Sequence, residues 1–121
     1  MKTPTAFDLH SLVRELKLNR GVPLGALDGL PVKLSRFSFH PRWEMHPNGD
    51  ELLYVVEGEL ELTLLGEESS PRSILGPGGL TIVPRGVWHS PQPKGSVTLL
   101  HLADYRGTKV SNAADPRPRR S

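Results

Sequence analysis

Glycine and proline cut this chain into strand-length pieces, and that spacing constrains the fold more than any other feature of the sequence. Between the cuts the repeat is two, not three and a half. Glu59, Leu60, Glu61, Leu62, Thr63 and Leu64 alternate polar and apolar without a break, the pattern of a half-buried strand. Leu52 to Val56 is a dense apolar run with β-branched and aromatic members, and Val32 to His40 alternates loosely. Trp43 to His46, Ser73 to Leu75, Leu80 to Val83 and Val97 to Leu102 read as further short extended pieces. Gly58 reads as a tight reversal that folds Glu59–Leu64 back on the preceding strand, and residues 76–79 (GPGG) as another. Pro84 and Gly86 suit a type I turn leading into Val87, Trp88 and His89. Many short strands with no helical pattern between them indicate an all-β antiparallel barrel or sandwich.

Two segments stand outside that pattern. Leu9, Leu12, Val13 and Leu16 share one face of a short helix, with Asp8 as its N-cap. Asn19 to Pro31, rich in glycine and proline, reads as an irregular connection. From Arg106 on, proline, arginine, serine and alanine supply too little apolar surface to order a chain. The resulting division is residues 1–31 as helix and connection, 32–103 as barrel and 104–121 as mobile tail. A chain of 121 residues builds one core and is small for an enzyme, which favours an oligomer.

The net charge is only +2, and five basic residues lie after Asp104, so the body is nearly neutral and no nucleic-acid or membrane partner is expected. There is no cysteine, so any metal must use nitrogen and oxygen ligands. No apolar run approaches the length of a signal peptide core or a membrane span, and the expected location is cytoplasmic.

Chemistry concentrates in residues 43–58, WEMHPNGDELLYVVEG. Period two puts Glu44 and His46 on one face of a strand, with Trp43 and Met45 on the other. Pro47 to Asp50 form a bend that resets the alternation, so parity leaves open whether Asp50 or Glu51 turns inward. Buried charge is costly without a partner, and a metal ion is one such partner.

These residues resemble the cupins, small antiparallel jelly-roll barrels. The first cupin motif is His, any residue, His, three or four residues, Glu, six residues, Gly; here it reads Glu44, Met45, His46, then Glu51 and Gly58. The second runs Gly, five residues, Pro, any, Gly, two, His, three, Asn; here it reads Gly78, Pro84, Gly86, His89 and Pro93, with proline where asparagine stands in the pattern. The resemblance covers roughly residues 32–103. It implies a jelly-roll barrel binding one divalent metal (iron, manganese, zinc or nickel) through His46, Glu51 and His89, and it decides for Glu51 over Asp50.

Glu44 stands where a histidine is expected. It is either a fourth ligand, an acid or base beside the metal, or a rim residue paired with Arg42. As a ligand, it would make the site oxygen-rich and favour manganese or iron over copper. The functions implied are a metal-dependent enzyme on a small oxygenated metabolite, of isomerase or dioxygenase type, or a non-catalytic module that binds a small molecule. A homodimer is expected, burying Leu52, Tyr54 and Val56.

Other candidates are weighed by position. His101 shares a face with Val97 and Leu99 and is a candidate pocket residue, as is Arg85 for an anionic ligand. Asp50 reads as a turn residue, and neither His10 nor His40 is given a role. Trp43 is a candidate shelter for the barrel mouth and Trp88 for its outer face. Ser90 lacks the oriented acid of a serine hydrolase, and GPGG lacks the lysine and helix of a phosphate loop. The terminal PRPRR reads as disordered.

Overall fold

The computed structural model of the chain describes residues 6–118. Helix α1 (Leu9–Glu15) is followed by strands β1 (Arg20–Leu27), β2 (Leu30–Phe37), β3 (Trp43–Met45), β4 (Glu51–Leu64), β5 (Arg72–Leu75), β6 (Leu80–Val83), β7 (His89–Leu102) and β8 (Lys109–Ser111). All eight strands join one antiparallel sheet, in which β1-β2-β7-β3-β8 are successive neighbours and β4 pairs with β5, β6 and β7. The expected fold class, all-β with one short helix, is the observed one.

Two 14-residue strands, β4 and β7, form the spine. They pair along their whole length, but the register slips between Val55 and Glu57 and again between Gly58 and Leu60. Such bulges bend and twist a long ribbon, which lets one sheet roll into a barrel. Gly58 therefore sits inside a strand and does not reverse it, contrary to the reading from sequence. Its φ is 86°, and a Cβ there would collide with the Ser96 carbonyl oxygen. Glu59–Leu64 accordingly pairs with β5 and the start of β7, not with Leu52–Val56.

Asn19–Pro31 is also ordered differently from expectation. β1 and β2 form a hairpin whose two-residue loop is Asp28 and Gly29, with φ of 51° and 78°. Asp-Gly is the favoured pair for a turn with positive φ at both positions. Pro23 and Gly25 are tolerated because β1 is an edge strand, with a register shift between them.

The barrel interior is filled by Leu53, Val55, Leu60, Leu62, Val83, Val97 and Leu99. A second cluster lies outside the sheet, where Val13 of α1 and Leu16 just after it cover Leu34, with Val22, Val56 and Leu100 around them. Asp8 accepts from the His10 amide at the helix start, as expected, and Arg36 donates to the Leu16 carbonyl at its end. Leu34 is fully buried there, so its truncation to alanine would cost about 2–5 kcal/mol.

The segment read as a tail carries structure as well. β8 pairs with β3, placing Glu44 opposite Val110, while the other edge of β3 meets β7 with Glu44 opposite His89. A three-residue strand is thus held from both sides. Arg119 and Arg120, the end of PRPRR, lie outside the described residues. Among the described residues no helix is long and apolar enough to cross a membrane.

Candidate metal centre

Four side chains converge inside one end of the barrel. Ligand atoms of Glu44, His46, Glu51 and His89 all lie within 4.8 Å of one another. β3 delivers Glu44 and leads into His46, β4 opens on Glu51, and β7 opens on His89. Glu51 and His89 are buried at 4% and 0% exposure, so these are charges and lone pairs removed from water. Glu51, not Asp50, turns inward, as the cupin resemblance implied. Asp50 is exposed and accepts from the Arg85 amide, a turn role.

The hydrogen bonds determine which ring nitrogen faces the centre. His89 Nδ1 lies 3.0 Å from the Val87 carbonyl, which can only accept, so Nδ1 carries the proton. Thr108 donates its hydroxyl proton to the Tyr105 carbonyl and therefore accepts from His46 Nδ1 at 2.7 Å. In both neutral rings Nε2 is then a bare lone pair aimed inward. His46 Nε2 is 3.1 Å from Glu51 Oε1 and 3.4 Å from Glu44 Oε1, while His89 Nε2 is 3.3 Å from Glu51 Oε1 and 3.8 Å from Glu44 Oε2. His89 Nε2 is buried and has no hydrogen-bond partner among the described residues.

Two imidazole lone pairs facing two carboxylates repel unless positive charge lies between them. Extra protons on the rings would supply it, and so would a divalent cation. The donor set, two neutral imidazoles and two carboxylates, suits zinc, iron, manganese or nickel. Burial alone would raise the Glu51 carboxyl, but contacts with His46 and His89 outweigh it and hold it down to about 2. Burial likewise opposes charge on His46, yet Glu51 and Glu44 leave its pKa raised above 6.5.

Around the centre lie groups that sequence reasoning missed. Tyr105 donates to Glu51 Oε2 at 2.8 Å and contacts His101 Nδ1 at 2.6 Å, and His101 Nε2 meets the Ser35 hydroxyl at 2.8 Å. Tyr105 and Thr108 belong to the segment read as a tail, where no periodic signal marks them. Burial lowers the pKa of His101, favouring the neutral ring, and raises that of Tyr105. His40, given no role from sequence, places Nε2 2.9 Å from Glu44 Oε2 and Nδ1 2.7 Å from the Pro41 carbonyl. Glu44 thus turns toward His40 and His46, not toward Arg42.

The remaining candidates separate clearly. His101 lines a cavity of about 200 Å³ that opens beside Glu44 and Glu51. Arg85 does not line it; its Nε donates to the Pro47 carbonyl on the outside, tying together the two loops that lead to Glu51 and His89. Arg85, the candidate for an anionic ligand, is exposed and bonds that carbonyl. Trp43 is buried, and Trp88 lines an outer cleft near Leu65 and Ala113. Ser90 accepts from the Gln92 amide. His10 lies exposed on α1.

A rolled antiparallel barrel with inward-facing imidazoles and carboxylates at one end defines a class of small barrel proteins with a candidate metal centre. The chain belongs to the cupin domain family, whose sequence model matches residues 36–102. No curated protein sequence matches the chain. Among solved structures it is similar to a cupin-2 domain containing protein from Shewanella frigidimarina, at 19% identity and TM-score 0.67, over 80% of this chain and 92% of that one. The protein NMB1881 from Neisseria meningitidis is similar at 18% identity and TM-score 0.68, over 81% and 97% of the two chains. The hydroxypropylphosphonic acid epoxidase from S. wedmorenis is similar at 21% identity and TM-score 0.54, over 62% of this chain but only 43% of the epoxidase. At these identities the likeness is one of fold.

Proposed function

We propose that this cupin binds one divalent metal through His46, Glu51, His89 and Glu44, and that it acts as a metal-dependent enzyme on a small oxygenated metabolite. The observation that carries the reading is the buried, partnerless Nε2 of His89, aimed with that of His46 at two carboxylates. A bound divalent ion would supply Lewis acidity at the cavity's end, and any position it keeps open would admit a ligand oxygen. The chain's own part is to fix both rings through Val87 and Thr108, to hold Glu51 through Tyr105, and to keep bulk water from the buried side. Glu44, at the cavity wall and in contact with His40, is the group placed to hold or move a proton.

The similar epoxidase has been solved with iron(II) and with cobalt(II), which makes those ions the first to load. Elemental analysis of the purified protein, then oxygen uptake and isomerase assays on the iron- and manganese-loaded forms, test the proposal. Stoichiometric metal with turnover supports it, and absence of metal uptake rejects it.

A second reading, a non-catalytic module that binds a small molecule, is favoured by Glu44 replacing the expected imidazole. Tight ligand binding without turnover would select it. The chain is further proposed to act in the cytoplasm as a homodimer. The apolar outer residues Leu52 and Tyr54 pair in register with Ile82 and Leu80, which are 51% and 57% exposed, and together they suit burial against a second copy. Val56 packs toward the cluster under α1 instead.

A further inference from the structure

The cavity beside the metal centre has two kinds of wall. Phe37, Leu53, Pro91 and Leu99 form an apolar side, and Ser35, His40, Glu44, Glu51 and His101 a polar one. At about 200 Å³ it is smaller than the roughly 300–1,000 Å³ typical of sites for drug-sized ligands. No lysine or arginine lines it; Lys33 lies nearby, with its ammonium 5.4 Å from the Tyr105 ring centre.

The polar side has spent its protons. Tyr105 gives its single proton to Glu51, so its oxygen accepts from His101 Nδ1, and His101 Nε2 must then accept from Ser35. His40 gives Nδ1–H to the Pro41 carbonyl, and the 2.9 Å contact between its Nε2 and Glu44 holds a proton between those two groups, whichever of them carries it. What these side chains still offer is lone pairs, on Ser35 and on the carboxylates.

We propose that the cavity takes a small molecule with a hydroxyl or N–H donor on a compact apolar body. This rests on the metal centre being the ligand-binding end of the barrel. The apolar body sits on Phe37, Leu53 and Leu99, its donor meets Ser35, and a lone pair of the same group faces the centre. A ligand bringing only acceptors would set its lone pairs against those of Ser35, and an unpaired buried polar group is heavily penalised.

The test uses the full chain loaded with zinc, which is redox-inert, and two probes, benzyl alcohol and benzyl methyl ether. Binding is followed by ligand-observed magnetic resonance, with zinc content measured on the same samples. The alcohol is expected to bind at least about tenfold more tightly than the ether, in which a methyl group replaces the donor proton. In Ser35→Ala, compared at equal zinc content, the gap between alcohol and ether should close to within about threefold. No binding of the alcohol at millimolar concentration, or an unchanged gap in Ser35→Ala, would overturn the inference. Failure of zinc uptake rejects the metal reading separately, and the gap measured on the metal-free protein still reads the cavity wall.

Discussion

The Thr108 hydroxyl has one proton and the Tyr105 carbonyl takes it, which obliges Thr108 to accept from His46 and leaves Nε2 of that ring bare toward Glu51. Removing such an outer partner weakens a metal site by about 10–100-fold. Thr108→Val is accordingly expected to lower metal affinity by that factor, measured by competition with a chromophoric chelator, whereas His89→Ala should retain no stoichiometric metal. Equal affinity in wild type and Thr108→Val would show that Thr108 does not orient the ring. Glu44→Gln should weaken binding only if Glu44 coordinates. The four converging residues were legible in the sequence because motif spacing carries them. His40, Tyr105 and Thr108 were not, because loop and turn positions carry no period, and it takes tertiary contacts such as the pairing of β3 with β8 and the Asn48 bond to the Arg106 carbonyl to bring the last turn to the centre.

At the level of elements, one sequence signal had two outcomes. Gly58 and Gly29 both have positive φ, but Gly29 turns a hairpin while Gly58 kinks a continuing strand. Local sequence cannot distinguish them, because the Ser96 carbonyl that crowds Gly58 arrives from a strand about 40 residues away, and strand partners are set by tertiary packing. The two glycines should therefore respond differently to the same change. Gly29→Ala, with open space around the added methyl, should lose about 1 kcal/mol. Gly58→Ala adds a backbone collision to the same torsional cost and should lose more than about 2 kcal/mol in urea unfolding. Similar losses would mean that the bulge relaxes freely. The Asp28-Gly29 hairpin was readable in principle, since the dipeptide is a strong turn signal, but surrounding glycines and prolines made the whole stretch look irregular.

For the whole molecule, pH and metal should act in opposite senses. Without metal, His46 has a folded pKa raised above 6.5, so its pairing stabilises the protein fully below 6.5 and is lost as pH rises through the folded value. Glu51, lowered from 4.5 to about 2, stabilises above 4.5 and loses that contribution as pH falls toward 2. The metal-free protein should gain most from this pair between 4.5 and 6.5. Metal needs both rings free of the second proton, so the rise in Tm on adding metal should grow from about pH 5.5 to about pH 8. A metal-induced shift independent of pH would exclude histidine ligation. The proposed dimer is tested by sedimentation at micromolar concentration: wild type should run at twice the chain mass, and Leu80→Asp with Ile82→Lys at the chain mass. Wild type running as monomer removes that proposal.

Val87 and Thr108 brace the outward nitrogens of the two rings, atoms that would take no part in holding an ion. A cage so braced would have little to rearrange on capture, so the speed of loading would follow how readily an incoming ion sheds its own hydration shell. Magnesium, which dehydrates reluctantly, would then be turned away by kinetics as well as by its weak liking for nitrogen.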